Sequence, residues 1–240
     1  MRQIPRLFVE TRLATGTRFA LPPAQTHYLS TVLRLTPGAE LRLLDNRTGE
    51  WAARIAAAGR REVEVEVGAQ IRPRETVPDL WLVAAPIRPE RFALTVEKAT
   101  ELGVARIVPV LTERTQHGRL RPEKLLAHMV EAAEQCGRTA LPELAEAVKL
   151  EALLAGWPQG RALIFADEEG GRMLAGACPP PPAAILVGPE GGFSPAERAA
   201  LVAHPAAHRV SLGPRLLRAD TAAVAALAVW QALAPPAAGG

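Results

Sequence analysis

Cysteine, lysine and long apolar runs are all scarce in this sequence. Two cysteines among 240 residues, Cys136 and Cys178, cannot make a disulfide framework, and their spacing is not that of a metal site. A reducing, cytoplasmic setting is therefore expected, with no metal. No apolar run reaches the ~18 residues that a membrane helix needs, so no membrane partner is expected. The opening stretch MRQIPRLFVETR is interrupted by arginines and does not read as a signal peptide. Disorder is excluded by composition, since 48% of residues are hydrophobic and 22% charged. A chain of this length makes one large domain or two small ones and can bury a core without staples.

What is abundant is arginine. Of 28 basic residues only three are lysines, Lys98, Lys124 and Lys149. Residues 1–75 hold 12 arginines against 8 acids, a net of +4, whereas residues 76–240 hold 16 basic residues against 17 acids, a net of −1. The guanidinium fork matches phosphate geometry and stacks on bases better than an ammonium does. The basic first third thus points to a nucleic acid. Composition alone offers another reading, because alanine, arginine and proline are plentiful throughout.

Residues 1–71 read as a small β-rich module. Segments 7–10, 40–45, 50–57 and 61–68 are predicted strands, the last with valine and glutamate in strict alternation. Residues 24–34 have helical spacing, with Tyr28, Leu29, Val32 and Leu33 on one side. Short strands around one helix suggest a small barrel. Residues 72–79, with two prolines and no periodicity, read as a linker. From residue 80 to 240 strands and helices alternate. Predicted strands are 81–86, 105–112, 161–167, 183–190 and 208–213; predicted helices are 89–103, 122–137, 194–203 and 220–233. Near-continuous apolar strands alternating with helices mean an α/β domain on a parallel sheet. The tail at 235–240 is expected to fray.

Ligands of open parallel sheets sit at the carboxyl ends of the strands. Three such ends are unusual here: Phe165-Ala166-Asp167 leading into Glu168-Glu169-Gly170-Gly171; Gly188-Pro189-Glu190-Gly191-Gly192-Phe193; and Leu212-Gly213-Pro214-Arg215-Leu216-Leu217-Arg218-Ala219-Asp220-Thr221. The second is neither a Walker loop nor a GxGxxG turn, which disfavours phosphate-cradling nucleotide enzymes. It runs into a helix with a capping box, Ser194 and Glu197. Its glycines admit either a close-lying ligand or simply a tight turn. Arg218 precedes an apolar helix and is expected to point into the crevice; the structural alternative is an ion pair with Asp220 or Glu190. Asp220 could be no more than a helix cap.

Residues 96–110 (VEKATELGVARIVPV), 131–138 (EAAEQCGR), 185–197 (ILVGPEGGFSPAE) and 210–223 (VSLGPRLLRADTAA) resemble the RsmE family of 16S rRNA (uracil-N3) methyltransferases, of the SPOUT class. Residues 4–10 and 27–41 resemble the same family's RNA-binding, PUA-like barrel. The resemblance spans nearly the whole chain. It implies a C-terminal trefoil knot, a departure from the rule that chains do not thread themselves. It also implies S-adenosylmethionine (SAM) bound by Phe165, Ala166, Asp167, Gly188, Pro189, Glu190, Gly191, Leu212, Gly213, Leu217 and Arg218. A homodimer acting on 16S rRNA within the assembled small ribosomal subunit is implied as well. The family's usual Glu-Thr after the last arginine is replaced by Ala219-Asp220-Thr221, and its serine near position 136 by Cys136. The cysteine lies in an apolar helix and reads as packing.

Methyl transfer to uracil N3 requires loss of the N3 proton. Arg218 is the candidate to stabilise the resulting anion, and Glu190, Asp220 or water to accept the proton. Candidate RNA contacts are Arg2, Arg6, Arg12, Arg34, Arg47, Gln135 and Arg138. Lys98 and Glu101 would either line the RNA-facing mouth or form an i,i+3 ion pair. Two other functions stay open on sequence alone: ribose 2′-O methylation on the same fold, and a non-catalytic RNA-binding assembly factor.

Overall fold

The valine–glutamate alternation fixes the first sheet. The computed structural model of the chain describes residues 4–59, 62–116, 119–176 and 178–233. They form two compact units, one of residues 1–76 with 133–141, the other of residues 77–132 with 142–240. In the first unit Val63, Val65 and Val67 all point into the core while the intervening glutamates face outward, as period-two side-chain placement requires. The strands are β1 (Arg6–Phe8), β2 (Arg18–Ala20), β3 (Glu40–Asp45), β4 (Gly49–Ala58) and β5 (Val63–Pro73), in the order β1-β3-β4-β5-β2. Their inner faces supply Leu7, Leu41, Leu43 and Ile55 to one core. β5 carries its pairing on to Pro73, two residues into the stretch read as a linker. Residues 133–141 group with this unit, although the boundary expected at residue 80 would leave them in the other.

The expected helix at 24–34 is shorter and partly unwound. α1 (Pro23–His27) passes into a wider turn over Tyr28–Val32, where Leu33 N–H donates to the Tyr28 carbonyl at 2.9 Å. An i→i+5 turn winds more slowly than an α-helix, so the anticipated apolar face is dispersed. Leu29 is buried, but Tyr28 is 41% and Val32 59% exposed. Arg34 follows in the left-handed region at φ 53°, a backbone state uncommon outside glycine.

Two buried carboxylates tie the first unit together. Asp45, before the β3–β4 turn, accepts from the N–H groups of Leu13 (2.8 Å), Arg47 (2.8 Å), Gly49 (3.2 Å) and Thr48, and from the Thr48 hydroxyl (2.7 Å). Glu50, 1% exposed, accepts from Arg6 (3.0 Å), Arg42 (3.3 Å) and Arg72 (2.6 Å). Arg72 also bonds the Gly137 carbonyl, and Phe8 N–H donates to Glu134 at 2.8 Å. These bonds hold residues 133–141 in the unit.

The second unit contains β6 (Leu80–Ala84), α2 (Pro89–Glu101), β7 (Arg106–Leu111), α3 (Pro122–Cys136, whose last turn belongs to the first unit), β8 (Glu143–Leu144), β9 (Val148–Lys149), α4 (Leu150–Ala155), β10 (Ala162–Ala166), β11 (Arg172–Met173), β12 (Ala183–Val187), α5 (Pro195–Ala203), β13 (Ala207–Ser211) and α6 (Ala219–Leu233). The main sheet runs β11-β13-β10-β12-β6-β7-β8, and β9 pairs with β7. Every recorded pairing in it is parallel. Its central strands β10, β12, β6 and β7 are buried on both faces, and Leu163, Phe165, Ala184 and Leu186 form an apolar core with Val83 and Val108 on one of those faces. The short elements β2, β8, β9, α4 and β11 have no periodicity long enough to reveal them in the sequence. Among the described residues no helix is long and apolar enough to cross a membrane. The tail at 235–240 lies outside the described residues.

Burial pushes the carboxyls of Asp45 and Glu50 upward, but hydrogen bonds from Thr48, Leu13 and Arg47 to the one, and Arg72, Arg6 and Arg42 beside the other, hold both below the usual carboxylate range. Such groups contribute stability that is present above the unfolded value, about 4, and lost as pH falls through the folded one. Urea midpoints are expected to stay level between about pH 8 and 6 and to fall below about pH 4. Glu50→Gln should lower the neutral midpoint and flatten that acid limb; an unchanged curve would contradict the role given to Glu50.

Candidate active site

The turn after β12 is closed by a side chain resting on a backbone. A Cβ at Gly188 would meet the Phe193 ring at 2.7 Å, closer than real Cβ atoms come. The Phe193 ring meets Phe165 edge-on, 5.4 Å between centroids and 78° between planes. It is half-buried, so a side chain at 188 would displace the ring from this seat. α5 then begins with the expected capping box: Glu197 N–H donates to Ser194 Oγ at 3.3 Å, and Ser194 N–H to Glu197 Oε2 at 2.9 Å.

The carboxyl ends of β10, β12 and β13, adjacent in the sheet, open on a cavity of about 550 Å³. That volume lies within the usual range for small-ligand sites. Phe165, Ala166 and Asp167 line it from the first loop, Gly188, Pro189 and Glu190 from the second, and Leu212, Gly213, Leu217 and Arg218 from the third. The three loops singled out in the sequence therefore converge. Of the residues named there, Gly191 does not line the cavity; its carbonyl instead accepts from Arg114 Nη1 at 2.8 Å. Gly213 sits at φ 128°, a conformation that L side chains rarely adopt, so the third loop turns there.

Asp167 holds the floor. Its buried carboxylate accepts from Arg198 (2.9 and 3.2 Å) and Arg209, and from the Glu169 N–H (3.1 Å). Burial pushes this carboxyl up, but Arg198, the Glu169 N–H and Arg209 keep it below its ordinary range. It is ionised and occupied, so it offers a ligand backbone groups rather than its side chain.

Arg218 is exposed at the cavity, and among the described residues no ion pair joins it to a carboxylate. The structural alternative for Arg218 is thereby removed. Asp220 is different: its buried carboxylate pairs with Arg91 of α2 and does not line the cavity. Glu190 stands exposed at the mouth. Lys98 takes the ion-pair reading, bonded to Glu97 (2.7 Å) and Glu101 (2.8 Å).

Of the candidate RNA contacts, Arg12, Arg34, Arg47 and Gln135 are exposed, and Arg6 is half-buried on Glu50. Arg2 lies outside the described residues. Arg138 is a correction. It is only 5% exposed, and burial lowers its pKa to about 10 against the opposing pull of Glu75. It is a core cation, not a surface contact. Cys136 is a second correction: it is exposed, and so does not pack in the core.

Sequence reading missed Arg91, Arg114 and Glu197 as site-building residues. Glu197 accepts from the Glu113 N–H at 2.7 Å as well as from Ser194, so it fastens residues 113–114 to the glycine loop. The capping box was a visible signal for Glu197. For the two arginines no local pattern exists, because their partners lie 77 and 129 residues away.

Two family models match the chain: an RNA methyltransferase domain over residues 74–231 and an RNA methyltransferase PUA domain over residues 21–68. A Rickettsia conorii protein named ribosomal RNA small subunit methyltransferase E is 30% identical, over 93% of both chains. The chain belongs to the RsmE family. RsmE of Neisseria gonorrhoeae, solved with SAM, superposes with a TM-score of 0.84 at 28% identity, over 97% of this chain and 98% of that one. A Legionella pneumophila protein described as a methyltransferase, also solved with its cofactor SAM, gives 0.86 at 32% identity, over 96% and 98%. The RsmE match thus covers both units.

Gly188→Ala is expected to force Phe193 off Phe165 and to destabilise the protein by about 1–3 kcal/mol, the usual range for overpacking. Urea unfolding checks this; an unchanged midpoint would mean that the ring moves freely.

Proposed function

We propose that this protein methylates N3 of a uridine in the decoding region of 16S rRNA, acting on the assembled small ribosomal subunit. That it is a SAM-dependent rRNA methyltransferase follows from its RsmE membership over both units. The observation that carries the finer reading is Arg218, in no ion pair among the described residues, at a cavity built from three glycine-bearing strand ends.

The cavity suits SAM on its own features. Glu168 and Glu190 line it, outside any ion pair among the described residues, and can meet the cationic groups of SAM, while Arg215 and Arg218 line it too; Gly213 has open space where a side chain would stand. SAM supplies an electrophilic methyl group on a sulfonium. The chain then supplies position and electrostatics. Backbone at Gly188, Pro189, Leu212 and Gly213 holds the cofactor, with Phe165 and Leu217 as apolar walls. The Arg218 guanidinium faces a uracil carbonyl oxygen and stabilises the anion formed at N3. The N3 proton passes to Glu190, which is exposed at the mouth, in preference to Asp220, whose carboxylate is bonded to Arg91.

Around this site the same reading places a PUA-like RNA-binding barrel in the first unit, whose β5 takes in residues 72 and 73 of the expected linker 72–79, and a SPOUT domain in the second unit, threaded as a trefoil knot. The side-by-side order β13-β10-β12 and the meeting of their loops support the knot. The protein works as a cytoplasmic homodimer. Arg12, Arg34 and Arg47 hold rRNA phosphates, and the target base is unpaired or flipped out to expose N3.

Labelled SAM incubated with unmodified small subunits is expected to give N3-methyluridine after nuclease digestion. A ribose-methylated nucleoside would overturn the assignment. Arg218→Ala should lower kcat by about 10²–10³-fold, the range for losing one charge-stabilising donor, with the melting temperature unchanged. Full activity in that variant would remove Arg218 from the chemistry.

A further inference from the structure

A second cavity, of about 820 Å³, lies in the same unit and outside the cofactor site. It is formed by the segments that follow β6 and β7 together with the first turns of α2 and α3. β6 lies beside β12, so this cavity shares the carboxyl edge of the sheet with the first. The two adjoin one bridge. Glu90 and Phe92 of α2 line the second cavity, whereas Arg91 between them binds Asp220, in the turn of α6 whose Ala219 lines the first.

The second cavity has an apolar floor of Ile87, Phe92 and Leu125, all buried. Its rim carries Arg119, Arg121 and Lys124, all exposed, facing two carboxylates, Glu90 and Glu123. Among the described residues no ion pair joins any of the three cations to a carboxylate. The second unit is close to neutral overall, and here three cations stand against two carboxylates, a local excess of positive charge on an apolar floor. A cationic groove that tracks the phosphates is one of the usual terms of single-strand recognition.

We infer that this cavity is an RNA groove of the methyltransferase unit, taking a short single-stranded segment next to the target nucleotide. The inference rests on the rRNA methyltransferase reading and adds a contact surface to it, apart from the arginines of the first unit. The Arg91–Asp220 bridge then separates the flanking segment from the reacting base, and the cations orient RNA without touching the transferred methyl group.

Steady-state methylation of small subunits by R119A/R121A/K124A tests this. KM for the RNA substrate is expected to rise at least about tenfold, with kcat at saturation within about twofold and SAM affinity unchanged. The slope of log affinity against log salt should fall by about 2, from three single-strand phosphate contacts. R119K/R121K should restore most of the affinity. If the triple variant loses SAM binding, the single reversals R119E and R121E carry the same test. An unchanged KM and salt slope in a variant that binds SAM overturns the groove. So does photo-crosslinking of the 119–128 peptide to a ribosomal protein instead of to 4-thiouridine in the rRNA. If the wild-type chain methylates no rRNA while these variants still weaken RNA binding, the reading of the activity fails and the groove stands.

Discussion

The methyltransferase unit depends on one close approach, that of the Phe193 ring to the backbone of Gly188. The chain leaves β12, folds back over itself and enters α5 within a few residues. A Cβ at 188 would displace the ring, which meets Phe165 of the neighbouring strand edge-on. The turn and the ring thus support each other. Glu197 and Arg114 brace the turn from the far side, through the Glu113 N–H and the Gly191 carbonyl. A site fixed in this way offers a cofactor a preorganised surface, which lowers the entropic cost of binding.

Arginine serves two opposite purposes in this chain. Arg6, Arg42 and Arg72 converge on Glu50, and Arg198 and Arg209 on Asp167, so that buried carboxylates stay charged and hold the fold. A buried carboxylate is tolerated only with such partners. Among the described residues, Arg218 has no such partner, and neither do Arg119 and Arg121. Partnered guanidinium groups build the structure, and the unpartnered ones are those proposed above to meet the RNA. Net charge alone, +3 for the whole chain, hides this division.

Features with local causes were legible in the sequence. The alternation at 62–67, the capping box at Ser194 and Glu197 and the helices that begin at Pro89 and Pro122 each follow from neighbours a few residues apart. The three strand-end loops were legible too, because each follows an apolar strand and carries glycine or arginine. Features with distant causes were not. The wide turn at 28–32 disperses an apolar face that helical spacing had assembled. Arg138 looked like a surface cation but is buried opposite Glu75. Asp220 looked like a helix cap or a base; one carboxylate oxygen does accept from the Thr221 N–H in the first turn of α6, at 2.9 Å, but the other went to Arg91, 129 residues earlier. No window of sequence contains both members of such a pair.

The central claim is that three strand-end loops, fixed by the Gly188–Phe193 contact, hold SAM beside Arg218. A crystal structure of the chain grown with saturating SAM tests it most directly. The account requires the cofactor against the backbone of Gly188, Pro189, Leu212 and Gly213, with its methyl group open toward Arg218. Cofactor bound elsewhere, or these loops drawn apart with the cavity empty, would contradict it.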